Sequence, residues 1–124
     1  MVTLVDDPAV SEFDALLASH QAVVVDFYAT WCAPCKTYSP RFAQAAREAR
    51  RTWPSLSVAF VKVDIDRAPE LKRRYGVQSV PTTLVLERRK GLLGEKVAAT
   101  GRLSGAIKHN DLLALIQGLA ARLA

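Results

Sequence analysis

Apolar positions along this chain follow two rhythms. Where Val10, Phe13, Leu16 and Leu17 recur at helical spacing, "PAVSEFDALLASH" predicts an amphipathic helix after a short extended piece, "TLV". Asp7 is placed to cap its first turn and Pro8 to fill its first helical position, where a missing N–H costs nothing. "AVVVDFYA" (22–29) breaks that rhythm with a near-continuous β-branched and aromatic run, the pattern of a central strand covered on both faces. A long helix follows in "PCKTYSPRFAQAAREARRTW", with Pro40 inside it as a kink and Trp53 packing at its end.

"LSVAFVKVDID" (56–66) predicts a second central strand, and "APELKRRYG" a short helix stopped by Gly76. "TTLVLE" (82–87) and "EKVAAT" (95–100) read as strands joined by the loop "RRKGLLG". Leu112, Leu113, Leu115, Ile116 and Leu119 form a last amphipathic helix that starts between Ser104 and Asp111. The order β-α-β-α-β-α-β-β-α implies an α/β fold: a central mixed sheet with helices on both faces. The 124 residues are read as one domain spanning 1–124, with no repeat or linker.

Composition narrows the function. The net charge of +5 gathers at Arg47, Arg50 and Arg51, at Arg73 and Arg74, and at Arg88, Arg89 and Lys90. No aromatic-rich binding motif accompanies these clusters, so they read as solvated faces and a loop tip, and nucleic acid is not expected as a partner. A membrane span needs about 20 continuous apolar residues and none is present. "MVTLVDDPAV" lacks a basic region followed by an apolar core, so the expected compartment is the cytoplasm.

The chemistry concentrates in "DFYATWCAPCK" (26–36), which holds both cysteines. Bridging Cys32 to Cys35 closes too small a loop to stabilise the fold much, which argues against a staple. A structural zinc takes about four ligands, whereas His20 and His109 stand apart without ligand spacing, so no metal is expected. Redox chemistry fits better. Cys32 sits where a strand passes into a helix, and the unpaired N–H groups of that helix favour its thiolate. Lys36 adds positive charge nearby, Pro34 stiffens the loop, and Cys35 lies one turn on, within reach of Cys32. A C-x-x-C opening a helix after a strand suits thiol–disulfide exchange, in which one sulfur attacks and the other resolves. Asp26, inside an apolar run, is expensive to bury as an ion, and desolvation is expected to raise its pKa towards neutrality. Trp31, in a strand-end loop, reads as an exposed apolar rim for docking partners.

"WCAPCK" after "VVVDFYA", with "YGVQSVPT" downstream and Pro40 in the helix, resembles the thioredoxin family across nearly the whole chain. The chain departs from the family's usual pattern in carrying Ala33 where glycine is common, which tunes the potential, and Tyr28 where a tryptophan is common. The resemblance implies the thioredoxin fold. It makes Asp26 the buried acid–base group that takes the proton of Cys35, with Lys62 facing it; the other reading of Lys62 is a snorkelling surface lysine. It also implies a cis Val80–Pro81 bond against the cysteines, leaving the Val80 backbone to pair with an extended substrate, and a groove kept shallow by Gly101. The implied activity is reduction of disulfides in partner proteins, with no bound cofactor. A thioredoxin-reductase-like flavoenzyme would regenerate the dithiol, and the protein is expected to be a monomer. Two other uses of the fold stay open at this point: an oxidase, isomerase or electron relay of an extracytoplasmic pathway, and a non-catalytic docking module.

Overall fold

The computed structural model describes residues 1–123. Five strands, β1 (Val2–Asp6), β2 (Ala22–Tyr28), β3 (Val58–Asp64), β4 (Thr82–Gly91) and β5 (Gly94–Ser104), form one sheet in the order β1-β3-β2-β4-β5. β1 and β2 flank β3 in parallel, while β4 and β5 run antiparallel. Four helices complete the chain: α1 (Val10–Ser19), α2 (Ala33–Thr52), α3 (Pro69–Arg74) and α4 (His109–Leu123). This is the mixed α/β architecture that the hydrophobic rhythm predicts.

Why β2 is unbroken in its apolar character is now evident: every residue from Ala22 to Phe27 is buried, because the strand has a neighbour on each side and helices above and below. Successive side chains alternate between two cores. Val23, Val25 and Phe27 join Phe13 of α1 and Leu71 of α3. Ala22 and Val24 join Tyr38, Phe42 and Ala46 of α2 and Leu112, Ile116 and Leu119 of α4. By the same alternation Asp26 faces α2, and the strand register lays a row of polar residues beside it on that face. Asp6 is level with Lys62, Lys62 with Asp26, and Asp26 with Thr83. Pro40 lies inside α2 without ending it, since the helix is held to the sheet by its buried face. Phe42, at the middle of that face, packs edge-on to Phe60 with ring centroids 5.8 Å apart.

Three local expectations are corrected. α1 begins at Val10 rather than at Pro8, with Ala9 at its cap, and the Ala9 N–H donates to Glu12 Oε1 at 3.3 Å. Asp7 does not cap it, because its carboxylate is taken up at the strand ends. Tyr28 Oη–H donates to Oδ2 at 2.5 Å, the Asp64 N–H to Oδ1 at 2.8 Å, and the Asp7 backbone turns to φ 48°. The stretch "RRKGLLG" is mostly ladder, not loop: β4 runs to Gly91, β5 restarts at Gly94, and only Leu92 and Leu93 form the turn. β3 is shorter than the apolar run that encodes it, since Leu56 and Ile65 are buried outside the ladder.

Removing the Phe42 ring should therefore loosen α2 from the sheet. Phe42→Ala is expected to cost about 3–5 kcal/mol in a denaturant titration. Leu92→Ala, at a side chain 106% exposed, should leave the midpoint in place.

Candidate functional site

β2, the central strand, delivers the chain at its C-terminal end to the start of α2, and Cys32 occupies the cap of that helix with extended backbone (φ −90°, ψ 110°). The following N–H groups have no partner inside the helix. One of them, on Cys35, donates to Cys32 Sγ at 3.2 Å. Cys32 and Cys35 are joined as a disulfide with Cα atoms 5.3 Å apart. Both cysteines are nearly enclosed, Cys32 at 5% and Cys35 at 2% exposure, while Ala33, Pro34 and Lys36 face solvent. When the bond is reduced, the Cys35 N–H and the helix dipole both favour a negative sulfur at Cys32.

The Val80–Pro81 peptide is cis, and the Val80 carbonyl oxygen lies 3.6 Å from Cys32 Sγ. Trp31 is 69% exposed, yet its ring is not loose: the indole N–H donates to Asp66 Oδ2 at 2.9 Å. It stands as an apolar flank next to the cysteine pair.

Asp26 is wholly inaccessible to water. Ser39 Oγ–H donates to its Oδ2 at 2.8 Å, while Oδ1 has no hydrogen-bond partner among the described residues. Burial pushes the carboxyl up from 3.8 to about 6; the Ser39 hydroxyl and then Lys62 oppose that rise, and Asp6 adds slightly to it. Thr83, level with Asp26 on β4, is engaged elsewhere, sharing a 2.6 Å hydrogen bond with the Tyr38 hydroxyl. Lys62 is half-buried, its Nζ 4.8 Å above the Tyr28 ring, so it neither escapes fully to solvent nor enters the core. A cleft of about 370 Å³ opens beside the pair, lined among others by Cys35, Lys36, Ser39, Pro40, Lys62 and Tyr28. It brings Cys35 and the serine that holds Asp26 onto a common wall.

Gly101 is placed away from this group. It lies in register with Val85, its missing Cβ would meet Val85 Cγ2 at 3.4 Å, and with Ala114 and Gly118 it lines a cleft against α4. The glycine beside the cysteine end is Gly105 (φ 86°), whose N–H donates to the Pro81 carbonyl at 2.8 Å. The bulge between Val85 and Leu86, which leaves Thr100 unmatched, shifts β5 and hides this pairing from the sequence pattern. Ser39 was also missed, although a signal exists: it is the one hydroxyl residue other than Tyr38 on the buried face Cys35, Tyr38, Ser39, Phe42, Ala45, Ala46 and Ala49.

Both histidines have structural partners. His20 bonds Thr3 Oγ1 at 3.0 Å, and His109 Nε2 lies 3.4 Å from Glu48 Oε1. Among the described residues no group of three or more His, Cys, Asp or Glu could hold a metal, and no helix is long and apolar enough to cross a membrane.

A disulfide capping the helix that follows the central strand of a mixed sheet, with a cis proline against it, defines a thiol–disulfide oxidoreductase of the thioredoxin fold. The family model described as Thioredoxin matches residues 5–117, and the chain belongs to the thioredoxin family. It is similar to a thioredoxin of Mycoplasmoides gallisepticum, 41% identical over 107 residues, covering 86% of this chain and 93% of that protein. A bifunctional thioredoxin reductase/thioredoxin of Mycobacterium leprae is 42% identical over 77 residues, which are 62% of this chain and 16% of that protein. Among solved structures, Schistosoma mansoni thioredoxin superposes with a TM-score of 0.70 at 30% identity, covering 94% of each chain.

The raised carboxyl carries a consequence for stability. Its folded pKa of about 6 lies above the ordinary value of 3.8, so the neutral form is the one the fold favours. The contribution of Asp26 is complete below about pH 4 and is lost as pH rises through 6. Asp26→Asn is expected to stabilise the protein by on the order of 3 kcal/mol above pH 7 and to make little difference at pH 4, as read by urea titrations at both pH values.

Proposed function

We propose that this thioredoxin-family protein is a reductant of disulfides in partner proteins, acting through Cys32 and Cys35. Reduced Cys32, as thiolate, attacks one sulfur of the partner's disulfide and the other partner sulfur leaves as thiolate. Asp26 takes the proton of Cys35. The Cys35 thiolate then attacks Cys32 Sγ, the mixed disulfide breaks, and the partner departs with both electrons while the Cys32–Cys35 bond forms. The observation that carries this reading is the sulfur of Cys32 set at the start of α2 and accepting the Cys35 N–H. The roles of the surrounding residues follow from their chemistry. Ala33 and Pro34 form the first turn of α2 between the cysteines and tune the potential, Lys36 and Lys62 supply positive charge, and Trp31 offers partners an apolar contact. The Val80 backbone, next to a proline that has no N–H and close to Cys32, is where an extended segment of substrate would pair.

The cysteines themselves carry the electrons, so this reading calls for no bound cofactor. A flavoenzyme of the thioredoxin-reductase kind returns the electrons; the Mycobacterium leprae relative, whose name joins reductase and thioredoxin in one protein, supports that partner. The protein thereby passes electrons to many partner disulfides and maintains the cell's thiol balance. A reductant of this kind works where thiols are kept reduced, which assigns it to the cytoplasm, as a monomer of one domain.

The test uses the full chain and a disulfide-bonded protein substrate. Cys35→Ser should accumulate a mixed disulfide through Cys32 that a reductant releases, while Cys32→Ser should form none and lose turnover altogether. Turnover retained by Cys32→Ser would overturn the reading.

A further inference from the structure

Asp26 must exchange a proton with Cys35 if the proposed cycle is right, yet it has no direct opening to solvent and does not line the cleft that Cys35 borders. Ser39 does line that cleft, and it alone among the lining residues bonds the carboxylate, at 2.8 Å on Oδ2. Its place is built rather than incidental. It sits one turn beyond Cys35 on the same face of α2, is 8% exposed, and is flanked by Tyr38 and Pro40 in a helix pressed to the sheet.

We propose that Ser39 is a positioning residue for resolution: its hydroxyl holds Asp26 Oδ2 and leaves Oδ1 as the atom that accepts the proton of Cys35 Sγ–H. This inference rests on the acid–base role of Asp26. In the step itself the S–H bond breaks, Oδ1 gains the proton, and the electron pair left on Cys35 Sγ attacks Cys32 Sγ as the substrate sulfur leaves. Without Ser39 both carboxylate oxygens would lie buried with no donor, so the ionised form that must accept the proton would be harder to maintain. The other groups facing Asp26 cannot take over the bond. Lys62 of β3 is over the Tyr28 ring, Asp6 of β1 is an acid, and Thr83 of β4 and Tyr38 of α2 are bonded to each other.

The test is the pH dependence of single-turnover resolution, measured from pH 5 to 9 with a disulfide-bonded peptide in the full-length wild type, Ser39→Ala, Ser39→Thr and Asp26→Asn. The wild type should show an acid limb centred near 6. In Ser39→Ala that limb should move about one pH unit higher, cutting the rate at pH 6 about fivefold with the loss closing above pH 8, and Ser39→Thr should restore it. Asp26→Asn should lack the limb. A Ser39→Ala profile that superimposes on the wild type, or that falls by the same factor at every pH, overturns the role of Ser39 while leaving Asp26 in place. A limb that survives in Asp26→Asn overturns the acid–base reading, and the role of Ser39 with it.

Discussion

The carboxyl group of Asp26 is wholly enclosed in the middle of the sheet, on a strand of valines and phenylalanine, with Lys62 and Thr83 level with it on the neighbouring strands. A folded state that accepts such a group gives up stability whenever the group is charged. The structure limits that cost with one hydroxyl from α2 and one lysine on the neighbouring strand, and leaves the second oxygen without a partner among the described residues. The result is an acid that titrates near neutrality instead of far below it. Such a group both gives and takes protons under ordinary conditions, which is the behaviour the proposed cycle asks of an acid–base partner for Cys35.

The cysteine end depends on this arrangement through α2. One helix carries both sulfurs at its first turn, Ser39 on its next, and Phe42 and the alanines that seat it on the sheet. Packing along the helix therefore fixes the distance between the redox pair and the buried acid, and a few ångströms of slippage would separate them. From the opposite side, the cis Val80–Pro81 peptide and the Gly105 N–H on the Pro81 carbonyl hold the β4 end of the groove against Cys32. Tyr28 closes a third side: its hydroxyl is tied to Asp7, and its ring lies under Lys62. Between these contacts the cysteines are nearly enclosed, and Trp31 stands exposed beside them.

Much of this was legible in the sequence because burial leaves a periodic trace. The unbroken run of β2 marked a strand covered on both faces, and an aspartate within it could only be a buried one. The position of Cys32 at a strand-to-helix junction followed from two adjacent patterns. What the pattern could not carry was register. Asp6, Lys62, Asp26 and Thr83 form a row only because β1, β3, β2 and β4 pair as they do. Gly101 and Gly105 are equally plausible beside a proline until a bulge decides which one reaches it. Asp7 looked like a helix cap because its better donors, on Tyr28 and Asp64, are distant in sequence. Serine in a helix ordinarily reads as surface, and only the parity of Ser39 with Cys35 and Phe42 reveals its burial.

At the centre stands the claim that Cys32 and Cys35 form one two-electron couple poised to reduce other proteins. Equilibrium titration of the pair against a dithiol–disulfide buffer at pH 7 tests it most directly. A single two-electron transition at about −270 mV, the characteristic thioredoxin value, is the result this account predicts. A transition at about −120 to −180 mV would mark an oxidant or isomerase, and no transition would remove the redox function itself.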